Sequence, residues 1–243
     1  MLETEFSFCG VESSEYNLRG YPTVPLLPAR RDGRIEIPGR DGMYALGPES
    51  YAARTITMEC MARESGSAAL RTLLSSIGGW LSGYGPLIFG RSPTVWWQAR
   101  AYMDIPVTMT PHTARFSVVF ECSTWADDVE AVAGTVDLAQ DYGSQAPFAP
   151  IITVTLGAAT ESVQVTHTGS GRFVHVADAF AAGDVLVFDM SAGKVTRNGV
   201  TIMPKVSLDS VFFAVPPGLQ TVTVTTDVDY VASMAYRRRY YYA

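Results

Sequence analysis

Apolar and polar residues alternate with period two through most of the second half of this chain, a pattern that leaves little room for any fold but a β one. It runs through Ile152-Thr153-Val154-Thr155-Leu156, Val163-Gln164-Val165, Phe173-Val174-His175-Val176 and Val222-Thr223-Val224-Thr225. Such alternation turns one face of each segment to a core and the other to water, as half-buried strands do. Val185 to Phe188 adds a continuous apolar strand, and Ser191-Ala192-Gly193-Lys194 reads as a hairpin turn into a strand leading to Gly199. Short strands spaced by Gly and Asp turns describe an antiparallel sandwich. No repeat of solenoid or propeller length is present.

The first half is also β, with different punctuation. Phe6-Ser7-Phe8-Cys9 alternates before Gly10, and Arg34-Ile35-Glu36-Ile37 alternates before the compact turn Pro38-Gly39-Arg40-Asp41-Gly42. Between them Pro22, Pro25 and Pro28 forbid helix and predict an extended arm or an edge strand. Arg54 to Cys60 sets Ile56, Met58 and Cys60 on one face. Further strands are predicted over Val95 to Tyr102 and Arg115 to Cys122, joined by a loop around Pro111-His112. One helix is predicted: Leu70, Leu73, Leu74, Ile77, Trp80 and Leu81 form a single stripe, with Ser67 as N-cap and Gly83 as the stop. That stripe reads as a core face.

At 243 residues the chain has room for two ordinary domains, and 47% apolar against 17% charged residues supports packed cores. The net charge is −6. Residues 1–125 hold 11 Arg, no Lys and 12 acids, while residues 126–243 hold 7 bases and 12 acids. This shift, with the acidic, Ala-rich stretch Ala126 to Asp141 and then Pro147 and Pro150, marks a change of unit. An acidic chain is a poor generic nucleic-acid binder. Thr72 to Gly90 has no charge, but its glycines and Pro86 break it as a membrane span. Met1 to Phe6 carries Glu3 and Glu5, the wrong sign for a secretory leader.

Catalytic signatures are missing: there is no nucleophile elbow, phosphate-binding loop, zinc-protease motif or dinucleotide fingerprint. Thr168-Gly169-Ser170-Gly171 resembles a nucleophile turn only in composition, since its flanks are hairpin strands. Asp127-Asp128-Glu130 reads as a solvated linker face without EF-hand spacing. His112, His167 and His175 have no Ser, Cys or acid partner at a recognisable spacing. Cys9, Cys60 and Cys122 read as buried reduced thiols, not a zinc site. No catalytic residue, metal or cofactor is therefore assigned. Arg237-Arg238-Arg239-Tyr240-Tyr241-Tyr242 continues the strand-like Tyr230 to Tyr236 and reads as a closing strand docked on a partner, in preference to a nucleic-acid grip. Trp80, Trp96, Trp97 and Trp125 all lie in the first half, so a sugar platform in the sandwich would rest on Tyr and Phe.

Taken in order, these pieces resemble the distal tail proteins of long-tailed bacteriophages. The resemblance is carried by Phe6-Ser7-Phe8-Cys9-Gly10 followed by Ser13-Ser14 and Tyr16-Asn17-Leu18, and by Ile37-Pro38-Gly39-Arg40-Asp41-Gly42. Tyr51, Arg54-Thr55-Ile56, Trp80-Leu81 and Arg115 to Cys122 extend it, and Gly183 to Asp189 and Val215 to Val222 carry it into the second half. It spans essentially the whole chain and rests on the order of the motifs. The resemblance implies a mainly β, two-domain fold: residues 1–130 an N-terminal β-sandwich ring (belt) domain with one α-helix, residues 131–243 a C-terminal galectin-like antiparallel β-sandwich. It implies a structural virion protein and not an enzyme, assembled in the host bacterial cytoplasm as a homo-hexameric ring hub. Its implied partners are the tail tube protein and a tail-tip or baseplate hub protein, with the tape measure protein left open and no membrane or sequence-specific nucleic acid. Short strands and Pro-rich arms offer edges to a neighbouring copy, which makes Pro22, Pro25, Pro28, Gly39, Arg40, Asp41 and Gly42 the candidate ring interface. Two rivals stand beside this reading. One is a carbohydrate-binding sandwich for host surface glycans; the other is a hydrolase using Asp127, Asp128 and scattered serines.

Overall fold

The computed structural model describes residues 3–31, 33–46 and 50–242. It divides into two compact units, Met1–Asp127 with Tyr241–Ala243, and Asp128–Tyr240. The chain is mainly β, with one α-helix and several antiparallel sheets.

In the first unit one sheet runs in the order Val11–Glu12, Phe6–Phe8, Tyr84–Phe89, Val95–Ala101, Thr113–Cys122, Arg54–Arg63, Leu18–Thr23. The strand Arg54–Arg63 buries every second side chain, from Arg54 through Ile56, Met58 and Cys60 to Ala62. Thr113–Cys122 has the same periodicity and pairs with it along its full length. The last strand comes back against the start of the chain. Gly20 on the last strand donates its N–H to the Thr4 carbonyl at 2.9 Å. A Cβ at Gly20 would stand 2.4 Å from Met58 Sδ and 2.9 Å from the Phe6 ring, so only glycine fits this approach. Pro22, two residues on and facing the same way, has no N–H to offer. The strand Leu18–Thr23, whose end holds the Pro22 that predicts an edge, is thus blunted by its own chain.

The helix Ser67–Leu81 buries Leu70, Ile77 and Leu81. Near its end Trp80 donates its indole N–H to the Phe8 carbonyl at 2.9 Å and stacks on Phe6 and Tyr16. Its N-cap is Gly66, not Ser67. The Ser67 hydroxyl donates to the Pro111 carbonyl at 3.4 Å instead of capping its own helix. The loop around Pro111 holds an unpredicted strand, Val107–Met109, paired with the start of Thr113–Cys122. All three of its residues are exposed, so it left no burial period to read.

The second unit is a sandwich. A six-stranded sheet runs Val132–Gly134, Tyr230–Tyr236, Ile151–Leu156, Val185–Asp189, Lys194–Arg197, Val200–Thr201, and a three-stranded sheet runs Arg172–Phe180, Thr160–His167, Val222–Thr225. Ile152, Val154, Leu186 and Phe188 from the first pack in one core with Val163, Val165, Val174 and Val176 from the second. Each such side chain contributes about 1.5–3 kcal/mol when fully buried. Val185–Asp189 alternates in burial despite its unbroken apolar sequence, with Leu186 and Phe188 inward. Both long edges of the three-stranded sheet are capped. Ser207 and Val211 donate N–H groups to the His175 and Phe173 carbonyls at 2.9 and 2.8 Å. On the other edge Asp137, held at φ 66, donates its N–H to the Val222 carbonyl and accepts the Val224 N–H on its side chain.

Carboxylates fasten this unit. The Ala181 N–H, Arg197 and Asn198 converge on Asp184 at 2.5–2.8 Å and hold its carboxyl below the ordinary 3.8. Lys205 does the same for Asp178, and the Thr160 hydroxyl for Asp227. A carboxyl depressed by folding contributes stability that is complete above its unfolded value and lost as pH falls through the folded one. Thermal melts of the second unit are therefore expected to hold level from about pH 7 to 5 and to fall below about pH 4. Asp184→Asn should flatten that fall; an unchanged acid slope would remove Asp184 from the explanation.

Candidate functional site

The residues expected at the ring interface fall on two separate segments. Gly39, Arg40, Asp41 and Gly42 form the tip of a hairpin whose strands are Gly33–Glu36 and Met43–Leu46, with Ile35 opposite Tyr44. Gly39 and Gly42 take φ of +83° and +88°, which the tight turn requires and glycine supplies. The Arg40 N–H donates to the Ile37 carbonyl, and its guanidinium lies 5.8 Å from the centre of the Tyr44 ring. Among the described residues the two strands pair only with each other. Ile35, Ile37 and Tyr44 are 43%, 39% and 51% exposed. A lone two-stranded hairpin is marginal in water and gains stability by covering such side chains.

The three prolines lie apart from this tip. Pro22 is half-buried in its strand, Pro25 is exposed, and Pro28 is buried within its own chain. Leu26 and Leu27 between them are 69% and 62% exposed. The fastening of this arm was not foreseen. Arg54 lies on the inward face of its strand and is 1% exposed. Its Nη1 donates to the Pro25 and Tyr241 carbonyls at 2.7 and 2.6 Å, and its guanidinium stands 4.9 Å from the centre of the Trp97 ring. Arg54 Nε and Nη2 and Trp97 Nε1 are buried without a hydrogen-bond partner. Burial pushes the Arg54 pKa down. Only its period-two position between Ala53 and Ile56 marked it in sequence, and that position asked for an apolar residue.

Other expectations need correction. Cys9 is exposed, in a tight turn at φ 52, whereas Cys60 and Cys122 are buried. Burial pushes both buried thiols up to about 12, so they stay protonated and inert. Asp128 is not a solvated linker residue: it is 5% exposed and accepts from Arg238 Nε at 2.7 Å and the Tyr240 hydroxyl at 3.0 Å. Arg237 donates to the Asp128 and Val129 carbonyls and Arg239 to the Pro147 carbonyl. Tyr241 packs edge-on against Trp125, and Arg91 lies over Tyr242. The Arg/Tyr run is spent inside its own chain, because buried Asp128 and free loop carbonyls need those donors.

His167 does have partners. It is buried, with Nδ1 2.8 Å from Ser170 Oγ and Nε2 3.0 Å from Gln220 Oε1. A neutral amide stands where a charge-stabilising carboxylate would be needed for base catalysis, so the contact ties a turn to a strand. Among the described residues no group of three or more His, Cys, Asp or Glu could hold a metal ion, and no helix is long and apolar enough to cross a membrane.

Residues 143–240 match the family model for the siphovirus-type tail component, C-terminal domain. No curated protein matches the sequence. Among solved structures the chain is similar to SPP1 Dit (gp 19.1), described as a paradigm of the hub adsorption apparatus in Gram-positive-infecting phages. The TM-score is 0.82 at 15% identity, covering 97% of this chain and 98% of that one. Chains of the phage P2 baseplate in its activated conformation, with Ca or with Sr, align at 8% identity over 98% of this chain and 99% of theirs. Their TM-scores of 0.48 and 0.47 carry no weight. The family match lies within the second unit and the Dit likeness extends over both. Residues 143–240 thus match the siphovirus-type tail component C-terminal domain, and the chain as a whole has the fold of SPP1 Dit.

Proposed function

We propose that this chain is the ring hub of a long-tailed phage tail, six copies closing a circle between the tail tube protein and the tail-tip or baseplate hub protein. Residues 1–130 make the ring and residues 131–243 present a sandwich to other tail proteins, with the tape measure protein a further neighbour. The observation that carries this reading is the self-paired hairpin Gly33–Glu36 and Met43–Leu46 with its uncovered Ile35, Ile37 and Tyr44. A hairpin reaching the next copy is a heterologous contact, and such a contact makes a ring when its rotation divides a full turn. Assembly in a reducing cytoplasm agrees with three free cysteines.

Sedimentation velocity and negative-stain images of the full chain test it: a six-fold ring at micromolar concentration is expected, and a strict monomer without rings overturns it. Arg40→Ala with Asp41→Ala should weaken association roughly tenfold through loss of the tip's charged and cation–π contacts. Unaltered assembly would remove the tip from the interface.

A specific feature favours a second, compatible reading, glycan binding. On the outward face of the three-stranded sheet Phe173, Thr166 and Thr223 form one row and His175, Gln164 and Thr225 the next. A half-buried ring beside amides and hydroxyls suits the apolar face and hydroxyls of a sugar. A host-surface glycan array probed with the full chain should give a binder that Phe173→Ala abolishes; a blank array ends this reading.

A further inference from the structure

The first unit carries arginines that its own fold does not use. Arg19 and Arg115 stand on either side of Met61 in one cross-strand row, and Arg63 lies two residues along the central strand, opposite Thr113. Cross-strand partners share a face and adjacent strands lie about 4.8 Å apart, so the three arginines flank Met61 on one face of the sheet. All three arginines are exposed and Met61 is half-buried. Among the described residues none of the three makes an ion pair. On the Arg19 side of Met61 opens a cleft of about 390 Å³ lined by Arg19, Arg63 and Asn17 with Met61 and Leu18, and with Glu5 on one wall; Arg115 lies outside it, across Met61.

We propose that this cleft docks an extended, acidic segment of a neighbouring tail protein. Each guanidinium presents a planar fork that takes a carboxylate with two parallel N–H bonds, which a lysine could not do. Residues two apart on an extended chain point the same way about 7 Å apart, a spacing that lets two carboxylates reach two arginines across Met61. Met61 receives an apolar side chain between them. Glu5 on the wall and Glu59 opposite Tyr21 and Ser117 repel a continuous polyphosphate, so the cleft favours spaced carboxylates over nucleic acid. The identity of the partner rests on the tail-component reading; the binding does not.

The probe is a short labelled peptide alternating glutamate with leucine and serine, titrated by fluorescence anisotropy against the full chain, beside its glutamine counterpart and a single-stranded oligonucleotide. The glutamate peptide is expected to bind, in a salt-sensitive way, and the other two not. Arg19→Gln with Arg63→Gln should weaken it at least about tenfold, and the corresponding lysine pair should recover only part of the loss. Met61→Glu, which keeps every arginine and adds a competing carboxylate, should also abolish binding. Undiminished binding by the folded variants, or an oligonucleotide bound as tightly as the peptide, overturns the proposal. Sedimentation of the same samples separates the readings: rings without peptide binding overturn the cleft alone, and binding without rings overturns the hub alone.

Discussion

Arg54→Ala is expected to cost the first unit about 3–4 kcal/mol, a large part of the stability of an ordinary domain. The substitution strips the Pro25 and Tyr241 carbonyls of their shared donor and opens a cavity under Trp97. These carbonyls are only part-buried, so water can replace part of what they lose, and most of the cost comes from the vacated space beside Trp97. The native residue also carries a burden, since two of its nitrogens are buried unpaired. Arg54→Met fills the stem and removes that charge, so it should recover about half of the loss. Urea midpoints followed by near-ultraviolet dichroism of the tryptophans would rank the three proteins. Limited proteolysis should find the exposed Leu26-Leu27 bond cut faster in the alanine variant. A methionine variant as stable as the parent, with no faster cutting, would mean that the arm holds without the guanidinium.

Ile35→Asp with Ile37→Asp is expected to leave each subunit folded and to abolish the proposed ring. Both side chains are already about two-fifths exposed in the lone chain, so the cost to the subunit should stay within about 0.5 kcal/mol. In a ring each would be covered, and losing the remaining two-fifths of burial on two isoleucines removes about 2 kcal/mol per contact, roughly thirtyfold in dissociation constant. Two carboxylates forced into the same contact add to the loss. Native mass spectrometry should then find monomer with an unchanged melting temperature. Rings that persist would move the interface away from the hairpin.

Most of the fold was legible because burial has a period. The alternation of Ile56, Met58 and Cys60, of Val163 and Val165, and the helical stripe from Leu70 to Leu81 each record which side of an element faces a core. What sequence missed lacked that record. Val107–Met109 is exposed throughout, Arg54 occupies a core position with the wrong chemistry, and Asp128 is buried only because Arg238 and Tyr240, more than a hundred residues away, return to it. Sealing of the Leu18–Thr23 edge was invisible for a related reason. Pro22 announced an edge, but nothing local states that Thr4 will meet Gly20. The candidate interface was half legible: the turn chemistry of Gly39 to Gly42 identified a tip, while the inward burial of Pro28 depends on neighbours far along the chain.

The capping of the three-stranded sheet by Asp137 and by the segment reaching Val211 has a consequence for crowding. In the proposed ring six sandwiches would stand at millimolar effective concentration, where a bare strand could pair with its neighbour. With both margins occupied by its own chain, this sheet offers a neighbouring sandwich no free ladder to extend.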